Sequence, residues 1–273
     1  KHKELTMCAD CGCSITDHVH DEHTHNHDHH HNHFHGGESH AHQAAHETLS
    51  HNPQLSDKKT VAVITKILDI NNREAARNRA NFDARDILAI NLMSSPGSGK
   101  TTLLERMADL ATFKFGVVEG DLETSRDADR IKAKGIPAFQ IQTGSACHLD
   151  AFMVHEALHY MPLDEMEVCF IENVGNLVCP AAYDVGSHLN IVLVSVPEGG
   201  DKIEKYPVMF RQADLILITK TDLLDYFDYD LVQEKAEARK INPGVDILEV
   251  SVKDDASIQR VIDWIEFKRE MKN

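Results

Sequence analysis

Lys100 and Thr101 close the run Ser94-Ser-Pro-Gly-Ser-Gly-Lys-Thr101, and their surroundings make their chemistry readable. Gly97 and Gly99, with Ser98 between them, let the backbone turn its N–H groups onto a polyphosphate. Lys100 would reach the β- and γ-phosphates, and the Thr101 hydroxyl would hold Mg2+. Thr102 continues into a helix whose positive end faces the same anion. Ser94 stands where such a motif usually has its first glycine. A plain glycine-rich turn is the alternative, but Gly-Lys-Thr between an apolar strand and a helix points to nucleotide.

Further polar groups sit where strands should end. In Glu119-Gly-Asp121, Asp121 could contact Mg2+ directly or through water, or cap the next helix. In Glu172-Asn-Val-Gly175, the carboxylate could hold Mg2+ or its water while the Gly175 amide meets the γ-phosphate. In Thr219-Lys-Thr-Asp222, the Asp222 carboxylate can accept from guanine N1–H and N2–H2, a donor pair adenine lacks. Lys220 can cover the base plane. Thr219 occupies a place more usually held by Asn, and a hydroxyl should tie neighbouring loops less well than an amide. Ser251 and Lys253 could complete the base pocket. One such motif is weak; four in order are strong.

Two groups of soft ligands remain. Cys8, Cys11 and Cys13 place three thiols within six residues, suited to Zn2+ or Ni2+, with redox pairing or incidental thiols as alternatives. Residues 18–51 hold 14 of the 19 histidines, a density that suits many exchangeable metal sites, a buffer more than a defined centre. Cys147 and His148 with Cys179 form a second possible metal set beside the Glu172-to-Gly175 loop, or three unrelated loop residues. An open fourth position could be shared across a two-fold dimer. Cys169 lies in an apolar strand and reads as core.

These residues need a scaffold. Strands are expected over residues 87–93, 115–119, 138–142, 167–172, 191–196, 215–219 and 247–251. Helices are expected at 59–82, 101–111, 125–134, 149–160, 203–211, 230–240 and 255–270. The alternation implies an α/β fold, a P-loop NTPase with a mainly parallel sheet covered by helices on both faces. Ligands should gather at the carboxyl ends of the strands. In helix 59–82 the apolar stripe of Val61, Ile64, Ile67, Leu68 and Ala75 should pack on its own domain or on a second copy. Residues 1–56 are expected to form a disordered Cys/His-rich metal-binding tail, and residues 57–273 a P-loop GTPase domain with an N-terminal helix. Met7 reads as a native start, and the six residues before it as an expression remnant. The net charge of −16 argues against nucleic acid or an anionic membrane as partner. Neither a membrane span nor a signal peptide is evident, so a cytoplasmic location is expected.

Taken together, these motifs resemble the HypB family, the GTPases of nickel insertion into NiFe-hydrogenase. The resemblance rests on Cys8-Ala-Asp-Cys11-Gly-Cys13, the histidine-rich stretch, the phosphate loop and Glu119-Gly-Asp121. It rests also on Cys147-His148, Glu172-Asn-Val-Gly-Asn-Leu-Val-Cys179, Asp201-Lys-Ile-Glu-Lys-Tyr-Pro207 and Thr219-Lys-Thr-Asp222. It implies a slow, Mg2+-dependent GTPase cycling between GTP and GDP. It implies a nucleotide- or metal-dependent homodimer that passes Ni2+ to the hydrogenase large-subunit precursor together with a HypA-type nickel chaperone. It further implies a tight nickel site at Cys8, Cys11 and Cys13, joined by the terminal amine, and a Ni2+ or Zn2+ site at Cys147, His148 and Cys179. Lys202 or Lys205 could reach nucleotide across the interface. The rival readings are a urease-type nickel GTPase and a nickel or zinc store with an uncoupled nucleotide site.

Overall fold

The computed structural model describes residues 58–121 and 126–272. The tail thiols Cys8, Cys11 and Cys13 and the histidine-rich stretch lie outside the described residues. The chain divides after Ile64: residues 58–64 of the first helix fall in one unit, and Thr65–Asn273 form the other.

The second unit is built on seven parallel strands. They are β1 (Leu88–Ser94), β2 (Phe115–Asp121), β3 (Ala138–Gln142), β4 (Val168–Glu172), β5 (Leu189–Ser195), β6 (Leu215–Thr219) and β7 (Asp246–Val250), in the order β3-β2-β4-β1-β5-β6-β7. The helices are α1 (Lys58–Asp83), α2 (Lys100–Leu110), α3 (Arg126–Ala133), α4 (Ala151–Leu158), α5 (Lys202–Lys205), α6 (Pro207–Arg211), α7 (Leu231–Ile241) and α8 (Asp255–Lys272). Strand β1 is buried along its whole length because helices cover both of its faces. Leu88, Ile90 and Leu92 pack with Leu103, Leu104 and Met107 of α2 and Ile258, Val261, Ile262 and Ile265 of α8. On the opposite face, Ala89 packs with Phe82 of α1 and Val154, Ala157 and Leu158 of α4. Farther along that face, Met93 meets Met209 and Phe210 of α6 and Ala238 of α7.

The expected elements are all present, with two differences. The helix expected over 203–211 is two short helices. Tyr206 sits between them at φ −122°, ψ 52°, because a residue ahead of proline is pushed out of the helical region. In α1 the apolar stripe packs fully only at its end: Val61 and Ile67 are exposed and Ile64 and Leu68 half-buried, whereas Ala75 is buried together with Asn71, Glu74, Asn78 and Phe82. Amides anchor this half. Asn71 Nδ2 donates to the Asp184 carbonyl at 2.8 Å, and Asn71 Oδ1 accepts from Ala151 N at 2.9 Å. Asn78 Nδ2 donates to the Ala151 carbonyl at 2.8 Å. Among the described residues no helix is long and apolar enough to cross a membrane.

Candidate functional site

Strand β1 lies between β4 and β5, where successive connections leave in opposite directions. That switch point opens a crevice at the carboxyl ends of the strands. Ser94 ends β1, and the loop behind it runs to Gly99, which caps α2. Gly97 and Gly99 adopt φ of 76° and 98°, and a side chain at either would meet nothing, so backbone conformation is what demands glycine there.

The loop is held from several sides. Lys100 Nζ donates to Ser94 Oγ at 3.0 Å, so the serine in the first-glycine position has a use. Burial pulls the Lys100 ammonium below its ordinary range, while Glu172, Asp127, Glu119 and Glu198 pull it back up. Thr219 Oγ1 donates to the Ser98 carbonyl at 2.7 Å, so the hydroxyl ties the loops that an amide was expected to tie better. Lys220, at φ 58°, donates from Nζ to the Gly97 carbonyl at 2.7 Å. Glu198 accepts from Ser98 Oγ at 2.6 Å and Ser195 Oγ at 2.6 Å, and its other oxygen accepts from Ser95 Oγ.

A cavity of about 420 Å3 opens over this loop; Lys100, Thr101, Thr102, Asp121, Glu172 and Gly175 are among its lining residues. Thr101 Oγ1 donates to Glu172 Oε1 at 2.8 Å, while Glu172 Oε2 is buried without a partner. Glu119 stands opposite Glu172 in the β2–β4 register, and its Oε2 is likewise buried without a partner. The two residues are only 3% and 4% exposed. Burial, with Glu172 beside it, pushes the Glu119 carboxyl up to about 8. Burial also raises Glu172, against the pull of Lys100. Two orphaned carboxylate oxygens beside a threonine hydroxyl make a donor set that fits a hard divalent cation such as Mg2+. Gly175 lies in the loop after β4, where an added Cβ would come within 2.8 Å of Pro96 Cα, so only glycine lets this loop rest on the phosphate loop.

At the base end, Asp222 Oδ1 accepts from Ser251 Oγ at 2.8 Å, and Oδ2 pairs with Lys253 Nζ at 2.7 Å. Lys253 and Ser251 hold its carboxyl below the usual carboxylate range. The sequence-selected Asp222, Ser251 and Lys253 thus meet as one group.

Cys147, His148 and Cys179 also meet. Their ligand atoms lie within 4.8 Å of one another, with Cys147 Sγ 2.9 Å from Cys179 Sγ and 3.9 Å from His148 Nδ1. Burial pulls the imidazole of His148 below its ordinary range, favouring the neutral, ligating form. Its ring stacks on Tyr183 with centroids 3.9 Å apart. Burial drives the Cys169 thiol up to about 12, as befits an inert core residue.

Residues 88–249 match the family model described as CobW/HypB/UreG, nucleotide-binding domain. The chain is 48% identical over 227 residues to the "Hydrogenase/urease maturation factor HypB" of Helicobacter hepaticus, covering 82% of this chain and 93% of that protein. The chain belongs to the HypB family. It is also 45% identical over 236 residues to the "Hydrogenase maturation factor HypB" of Escherichia coli K12, covering 85% of this chain and 81% of that one. Among solved structures it is similar to HypB from Helicobacter pylori in complex with nickel. There the TM-score is 0.73 at 45% identity, covering 74% of this chain and 96% of that chain. It is similar also to the hydrogenase maturation factor HypB from Archaeoglobus fulgidus, with TM-score 0.70 at 38% identity, covering 74% of this chain and all of that one.

Within this HypB fold, reading the sequence missed three contributors. Glu119 was passed over for Asp121, although a carboxylate following the apolar run of β2 is itself a signal of a paired or functional charge. Glu198 and Asn173 were missed because their deciding partners, Ser95 and Ser98 for Glu198 and Asn91 and Leu149 for Asn173, are remote in sequence. Asn173 Oδ1 accepts from Leu149 N and Val174 N, each at 3.0 Å, and Nδ2 donates to Asn91 Oδ1 at 3.2 Å.

Proposed function

We propose that this HypB-family chain is a GTP-hydrolysing nickel metallochaperone that works in the cytoplasm. In this reading, it delivers Ni2+ to the hydrogenase large-subunit precursor alongside a HypA-type chaperone. It acts as a homodimer formed with nucleotide or metal. The names of its relatives support the maturation role, and the nickel complex of the Helicobacter pylori protein supports the metal. The tail, residues 1–56, collects metal through Cys8, Cys11, Cys13 and the histidines, and residues 57–273 form the GTPase domain.

Gly97, Ser98, Gly99 and Thr102 embrace the phosphates, Lys100 meets the terminal ones, and Asp222 with Lys220, Ser251 and Lys253 selects guanine. Thr101, Glu172 and the buried Glu119, with Asp121 beside them, would hold Mg2+, which when bound screens the charge of the transferred phosphoryl group. Lys202 lines a cavity beside Pro96 and Gly175, which supports the reading that Lys202 or Lys205 reaches nucleotide across a dimer interface. Cys147, His148 and Cys179 hold the cargo ion, Ni2+ or Zn2+.

One observation carries the coupled reading. A single loop begins at Glu172, bonded to Thr101, and ends at Cys179, 2.9 Å from Cys147. Loss of the γ-phosphate releases Gly175 and moves Cys179 against the other two ligands. The test is a nickel titration of the wild type and Cys147→Ala/His148→Ala, first with GDP and then with a non-hydrolysable GTP analogue. Mass in solution is followed throughout. Affinity and dimer mass should both change with nucleotide in the wild type alone. Nickel binding that ignores nucleotide would reduce the protein to a metal store attached to an uncoupled GTPase.

A further inference from the structure

The last residues of α4 and its cap read His155-Glu-Ala-Leu-His159, the spacing that puts two imidazoles on one helix face as in zinc-binding helices. His159 keeps helical geometry at the cap, with φ −66° and ψ −20°, so the i, i+4 relation is preserved. We propose that His155 and His159, with Glu156, form a second site for a divalent transition-metal ion of the zinc or nickel class. The ligand atoms of these three residues lie within 4.8 Å of one another. The rings meet edge to face with centroids 5.0 Å apart.

The support behind His155 is what distinguishes this cluster from scattered surface histidines. Its Nδ1 lies 3.1 Å from Asn78 Oδ1 and 3.2 Å from Glu74 Oε1. Asn78 and Glu74 are buried on α1, and Arg77 pairs with the other Glu74 oxygen. Two acceptors at one ring nitrogen place the proton on Nδ1 and leave the Nε2 lone pair for a metal. A carboxylate behind a ligating histidine is the usual support of such sites. A helix-to-helix hydrogen bond would explain His155 but gives no reason for His159 and Glu156 beside it. Next to the pair, a cavity of about 400 Å3 lined also by Asn81, Asp164 and Glu165 leaves room for water to complete the shell. Two nitrogens and a carboxylate, without sulfur, should hold the ion less tightly than the Cys147, His148 and Cys179 set. The site stands independently of the GTPase reading.

The test is hydrogen exchange at the imidazole C2 positions of the full chain, read by mass spectrometry with and without Zn2+. Zinc enough to slow the histidines of residues 18–51 should slow His155 and His159 several-fold. His159→Asn should return His155 to its zinc-free rate while His148 stays slow. Unchanged rates at His155 and His159 under that zinc load would overturn the proposal. Slowing that vanishes in Cys147→Ala/His148→Ala would also overturn it, because the effect would then belong to the thiol site.

Discussion

Glu119 and Glu172 are buried side by side at the cavity, and only Glu172 has a hydrogen bond there, from Thr101. Each keeps one oxygen buried and unpaired, a cost that a cation in the cavity would offset. For Glu119 the consequence is a pH dependence. Its carboxyl lies near 8 in the folded chain and near 4.5 when unfolded, so the folded state binds the extra proton between those values. Stability therefore falls as pH rises through that window and levels off above it. Glu119→Gln removes the loss. Without nucleotide or divalent cation, the variant should match the wild type at acid pH. It should become more stable by roughly 2–4 kcal/mol near pH 9, read by denaturant midpoints. An advantage that does not vary with pH would rule out the carboxylate as its source. Gly175 makes a second case, in which space and not charge is decisive. Gly175→Ala drives a Cβ to 2.8 Å from Pro96 Cα, which neither backbone can accommodate without moving. GTP turnover should drop by about ten- to a hundredfold, since small displacements at a reacting group cost that much. The melting temperature should move only slightly.

Among the elements, legibility follows how local the deciding interaction is. Strand β6 announces itself as an apolar run, and β1 as one broken only by Asn91 before Ser94 ends it, because both faces of a parallel sheet are covered. The phosphate loop is legible because its constraint, positive φ at Gly97 and Gly99, is written in the residue type itself. Glu119 is not, because its role comes from the register that sets it opposite Glu172 on another strand. Helix α1 misleads for the same reason. Its polar half resembles a solvated face until Asp184 and Ala151 arrive from more than 70 residues away to satisfy the amides. The anchoring is testable at Asn71. Asn71→Ala leaves the Ala151 N–H in the first turn of α4 and the Asp184 carbonyl without their partner. The expected cost is about 1–3 kcal/mol in unfolding free energy, with GTP affinity unchanged. A loss below 0.5 kcal/mol, roughly the lower end of a net hydrogen bond, would mean that α1 is held by Ala75, Asn78 and Phe82 without help from Asn71.

For the molecule as a whole, the two candidate sites share one edge of the sheet because both are made from loops at strand ends. Asn173 is the physical join. Its single oxygen takes the amide of Leu149, one residue beyond His148, and the amide of Val174, one residue before Gly175. A shift of the nucleotide loop therefore alters the support of the metal loop, and the reverse. Linkage demands that the two effects be equal: the factor by which a GTP analogue changes nickel affinity must be the factor by which nickel changes affinity for the analogue. Couplings of this kind typically run from about 5- to 150-fold. Removing the shared acceptor in Asn173→Ala should bring both factors down together by at least about fivefold, measured by titrating each ligand with and without the other. Circular dichroism should show the fold retained. Coupling that survives the substitution would move the connection to another contact between the loops, such as Asn176 Nδ2 to the Cys147 carbonyl at 3.4 Å. That longer bond starts inside the segment between Gly175 and Cys179, so it would transmit loop movement but not the placement of Glu172.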